Sequence, residues 1–80
     1  MNTITKNSGT SQKYELVIRS PNNPEETREI ECLNDKEAEG MALTTASRYP
    51  LNTTVDIYCY VEGRKIYLNT AEHIVKLLAI

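Results

Sequence analysis

The chain has a single histidine, two cysteines, three glycines and no long apolar run. Each scarcity removes a class of function. His73 is matched with no serine or cysteine nucleophile in a recognised motif, and its neighbours are apolar, so triad chemistry is not expected of it. Cys32 and Cys59 are too few for a disulfide framework and stand at no zinc or redox spacing, which leaves them as small buried hydrophobes. No stretch is apolar for long enough to predict a transmembrane helix. There is no Cys-x-x-Cys, no histidine pair and no glycine-rich phosphate loop, so no metal or cofactor is expected. Glu29 and Glu31 would stand about 7 Å apart on one strand face, but without the apolar enclosure that separates the pKa values of a two-acid hydrolase. The chain reads as a non-enzyme.

What is present is an ordinary globular composition in 80 residues, 40% hydrophobic and 25% charged. That length makes one domain, near the lower limit for a self-sufficient core. Residues 1–12 are polar, with Met1 and Ile4 as their sizeable apolar groups, and are expected to form a disordered tail ahead of a single domain over 13–80. The opening residues lack the apolar core of a secretory signal, so a cytoplasmic location is expected.

The strongest local signal is a hairpin. Residues 53–61 alternate apolar and polar side chains, Glu62-Gly63 supplies a two-residue loop, and residues 64–69 resume the alternation. This sets Cys59 opposite Ile66 and Ile57 opposite Leu68 on an aliphatic face, and Tyr58 opposite Tyr67 and Tyr60 opposite Lys65 on the other. Upstream, Lys13–Ser20 alternates with Tyr14, Leu16 and Ile18 on one side. Pro21-Asn22-Asn23-Pro24 ends that strand, and a second runs over Glu26–Leu33 with Ile30 and Cys32 inward. Asn34 with Glu37 fits a capping box, with Glu37 reaching back to the cap amide, and opens a helix whose stripe is Ala38, Met41, Ala42, Thr45 and Tyr49. Pro50 stops it near Arg48. Gly40 lies opposite the stripe, at a cost of about 1 kcal/mol relative to alanine, with a close partner contact as its one candidate reason. Asn69-Thr70-Ala71-Glu72 repeats the Asn-x-x-Glu pattern and predicts a last helix to Ile80, docked through Ile74, Leu77 and Leu78.

The expected fold is therefore α+β: a four-stranded antiparallel sheet in a β-β-α-β-β-α chain, with both helices on one face. A helix crossing between two hairpins makes the second and third strands run in the same direction, so a wholly antiparallel sheet requires the spatial order 2-1-3-4. That order separates Cys32 from Cys59 by about 10 Å and predicts no disulfide.

Charge is unevenly placed. Residues 25–39 carry seven acids against Arg28 and Lys36, a balance of −5, while the rest carries seven bases and four acids, a balance of +3. Two surfaces become candidates for partner binding: the face with Tyr58, Tyr60 and Tyr67, and the acids Glu29, Glu31, Asp35, Glu37 and Glu39. Tyrosine is favoured at protein interfaces, and an acidic cluster can steer association with a basic surface. The tyrosines with Lys13, Arg19 and Lys65 also have the stacking-plus-cation logic of single-strand binders, but a pI near 5.3 argues against phosphate binding. A third reading is a homodimer formed through the sheet face or an edge strand.

With its Tyr-Glu-Leu-Val-Ile-Arg strand, its Glu-Ala-Glu-Gly-Met-Ala-Leu-Thr-Thr-Ala helix and its closing hairpin, the chain from 13 to 80 resembles the anti-CRISPR proteins of phages and mobile elements. The resemblance is one of length and architecture and transfers no functional residue. It implies a stoichiometric inhibitor that docks on a host CRISPR-Cas nucleoprotein complex and blocks DNA binding or nuclease recruitment. The expected partner is a larger host protein or nucleoprotein complex with a basic surface.

Overall fold

The computed structural model describes residues 11–74, in which four strands and one helix follow the order β1 (Gln12–Arg19), β2 (Glu26–Cys32), α1 (Asp35–Ser47), β3 (Thr54–Val61) and β4 (Arg64–Glu72). The strands form one antiparallel sheet in the order β2-β1-β3-β4, as the strand directions require. The loops follow from local chemistry. Glu62 and Gly63 both adopt positive φ, 50° and 78°, the geometry of a type I′ hairpin whose twist matches that of its strands. In the loop between β1 and β2, Asn22 takes φ 66° after Pro21, and Asn23 N–H donates to Ser20 O at 3.2 Å, closing the turn.

The helix is capped by Asn34, whose side chain accepts from Glu37 N–H at 2.8 Å. Glu37 reaches back one residue further than expected, accepting from Leu33 N–H at 2.8 Å rather than from the cap amide. The face laid on the sheet is Ala38, Ala42 and Ala46, all buried, while Met41 stays 43% exposed on the flank. Three small side chains bring the helix close over Tyr14, Leu16, Ile18, Val55 and Ile57, which with Cys32 and Cys59 complete the core. Both cysteines are buried and free, on strands that β1 separates.

The structure departs from expectation at β4. A register shift lies between Ile57 and Tyr58: Tyr58 faces Tyr67 but Ile57 faces Asn69, so Leu68 is the extra residue of a β-bulge and does not pair with Ile57. Asn69 Oδ1 accepts from Thr70 N–H at 2.8 Å, a local bond that serves the bulge rather than a helix cap. The bulge re-phases the strand, placing Ala71 opposite Val55 on the core side and Thr70 opposite Asp56 on the other. The expected helix start at Asn69–Glu72 is thus the end of β4, and one helix, not two, packs on the sheet among the described residues. The ladder continues past Glu72, with His73 N–H donating to Thr53 O at 2.9 Å and Asn52 N–H to His73 O at 2.8 Å. The remainder of the expected helix, residues 75–80, and residues 1–10 of the expected tail lie outside the described residues. Gln12, placed in that tail, is the first residue of β1.

Candidate functional site

Among the described residues α1 packs on one face of the sheet and no element packs on the other, and alternation dictates what that open face carries: Lys13, Glu15, Val17 and Arg19 from β1, Thr27, Glu29 and Glu31 from β2, Asp56, Tyr58 and Tyr60 from β3, and Lys65, Tyr67 and Thr70 from β4. Two hydrogen-bonded clusters order this face. In the first, Glu15 sits on the central strand with 9% of its surface exposed. It accepts from Tyr60 Oη at 2.6 Å and from Lys65 Nζ at 2.7 Å. Those two bonds, the lysine's first, hold the Glu15 carboxyl below the usual carboxylate range in spite of its partial burial. Lys65 in turn lies 4.6 Å from the centroid of the Tyr58 ring, and Tyr58 meets Tyr67 edge to face at 5.6 Å.

The second cluster runs along the lower part of the same face. Thr70 Oγ1 donates to Asp56 Oδ1 at 2.7 Å. Since a hydroxyl has one proton to give, the 2.6 Å contact between Tyr67 Oη and Thr70 Oγ1 must be donated by the tyrosine. Asp56 also accepts from Arg19, whose Nε donates to Glu25 at 3.1 Å. This cluster depends on the bulge, because without it Thr70 would point to the core.

The tyrosines are therefore brought together, though unequally. Tyr58 and Tyr67 pack on each other, and Tyr67 is 54% exposed, whereas the hydroxyl of Tyr60 is held by Glu15. The acids divide among separate surfaces. Glu29 and Glu31 lie on the open face along β2, with Glu29 3.9 Å from Lys13. Asp35, exposed at the helix start, accepts from the buried Tyr14 Oη at 2.7 Å, Glu37 is occupied at the same end, and Glu39 is exposed on α1.

Glu15 was not singled out by sequence, although the signal existed: on the polar side of β1, the 2-1-3-4 order sets it against Tyr58. His73 Nδ1 donates to Tyr49 O at 2.6 Å and so fastens the end of β4 to the loop after α1. Among the described residues no group of three or more histidine, cysteine or acidic side chains is placed to hold a metal ion, and no helix is long and apolar enough to cross a membrane. Compared with protein-family models, curated proteins and solved structures, the chain matches none, and its function is argued from its own surfaces.

Proposed function

We propose that this protein is a non-catalytic protein-docking module that uses the open, tyrosine-bearing face of its sheet. The observation that carries the reading is the packed Tyr58–Tyr67 pair with Lys65 against it, held by Glu15 beneath. Ordering these side chains before contact removes part of the entropy cost of binding and leaves a broad amphipathic surface of the kind protein interfaces favour. The same geometry counts against phosphate binding. Lys13, Arg19 and Lys65, the bases on this face among the described residues, each have a carboxylate within 4 Å, so a nucleic-acid backbone would compete with existing ion pairs.

The narrower form of the proposal follows from the architectural resemblance: the partner is a bacterial CRISPR-Cas effector complex with a basic groove, met by the tyrosine face and by Glu29 and Glu31. Titrating the protein into purified effector complexes should give co-elution in fixed stoichiometry and a matching loss of target-DNA binding. Tyr58→Ala with Tyr67→Ala should abolish both while leaving the circular dichroism spectrum unchanged. Full inhibition by that variant would discard the tyrosine face. A gel shift of DNA or RNA by the protein alone would replace the proposal with direct nucleic-acid binding.

A further inference from the structure

Edge strand β2 borders a groove of about 570 Å³ that runs between it and α1. Leu16, Ile30 and Met41 give it an apolar floor, Arg28 and Arg48 also line it, and Gly40 of α1 faces open space, where a Cβ would meet nothing within 4 Å. Among the described residues nothing pairs with the outer side of β2, which therefore presents free backbone donors and acceptors at alternate residues. On the groove side of β2 stands Ile30, and on the open face the flanking residues are Glu29 and Glu31, both exposed.

We infer that β2 and this groove form a second binding site, bordering the tyrosine face and sharing Glu29 and Glu31 with it, for an extended peptide segment that alternates basic and apolar residues and adds to the sheet as a fifth strand. Residues directly opposite in paired strands share a face. A segment in register thus sets lysine or arginine against Glu29 and Glu31 and drops the apolar residue between them beside Ile30 into the groove over Met41 and Gly40. Main-chain bonds to β2 supply affinity, and the alternation supplies selectivity. The same acids disfavour a second copy as occupant. Antiparallel pairing of β2 with itself about Ile30 would put Glu29 opposite the copy's Glu31, and pairing about Glu29 would put that carboxylate opposite its own copy. Either register is repulsive.

The site is tested by titrating the isotope-labelled full chain with a blocked heptapeptide of alternating lysine and valine. Saturable amide shifts are expected in residues 26–32 and at Gly40, Met41 and Thr44, and they should vanish when the peptide amides facing β2 are N-methylated. Glu29→Lys with Glu31→Lys should weaken this peptide about tenfold and favour one alternating glutamate and valine. The Cβ of Gly40→Leu meets nothing within 4 Å and its side chain occupies groove space, so the variant should weaken binding about tenfold with no fall in Tm. Three results would overturn the assignment: affinity unchanged in both variants, shifts centred on β4 and the tyrosines, or β2 shifts that grow with protein concentration alone and so report a second copy. Binding that appears only after removal of residues 1–10 or 75–80 would also overturn it, giving the groove to that terminus. Glu29 and Glu31 are shared with the tyrosine-face proposal, but the N-methylated peptide and Gly40→Leu report the groove alone, and the Tyr58 and Tyr67 variants report the tyrosine face alone, so the two proposals fail separately.

Discussion

Individual residues on the open face carry charge that the fold has already neutralised, and Glu15 shows what that implies for pH. Its folded-state pKa lies below the ordinary carboxylate value because Lys65 and Tyr60 donate to the ionised form. The stability it contributes is therefore present above the unfolded carboxylate's pKa, about 4.3, and is lost as pH falls through the lower folded value. Glu15→Gln should flatten the decline of the denaturant midpoint between neutral and acid pH, and a decline as steep as in the parent would remove Glu15 as its source. At the alkaline end Tyr14 acts in the opposite sense. Burial first, and then the bond to Asp35, raise its phenol well above the ordinary value of about 10. Its stabilisation is full below that value and is lost as pH climbs past it. Tyr14→Phe should cost about 1 kcal/mol at neutral pH and remove part of the alkaline destabilisation, as read by urea melts at neutral and alkaline pH.

At the scale of elements, the features legible in the sequence were those set by local chemistry. Period-two alternation located the strands, Glu62-Gly63 fixed the hairpin turn, and Asn34 fixed the start of α1. The 2-1-3-4 order followed from direction alone. Two things were not legible. The stripe on α1 was assigned partly to Met41 and Thr45, but the helix is rolled so that Ala46 is buried instead, a choice made by close packing on the sheet rather than by periodicity. The second capping pattern is also misleading, because the same Asn side chain that can cap a helix can serve a bulge, which here sets Ala71 opposite Val55 beside the core and Thr70 opposite Asp56 on the other face. Gly40 gives a check on α1. Its site is open and helical, so Gly40→Ala should stabilise the protein by about 1 kcal/mol. Asn34→Ala should cost a similar amount, about 1 kcal/mol. Both are measurable by thermal melts, and opposite signs are required.

Among the described residues the molecule is a sheet covered on one side by a single helix, and the core they form is correspondingly thin. Tyr14, Leu16, Ile18, Val55 and Ile57 are the large buried apolar side chains, and α1 meets them with three alanines. Small helix residues permit close approach but contribute little buried area of their own, so the sheet side chains bear most of the hydrophobic stabilisation. A domain of this size gains no more than about 3–5 kcal/mol from its core, while removing one buried leucine costs about 2–5 kcal/mol. Leu16 occupies the centre of β1 between Arg28 and Ile57 and also floors the groove beside β2. Leu16→Ala should therefore leave a large fraction of the chain unfolded at 25 °C, with loss of the cooperative thermal transition. Tyr67→Ala, on the open face, should leave that transition in place. If the two variants melted alike, the division of the sheet into a face that holds the fold and a face free to bind would be wrong, because the tyrosine layer would then be part of what keeps the molecule folded.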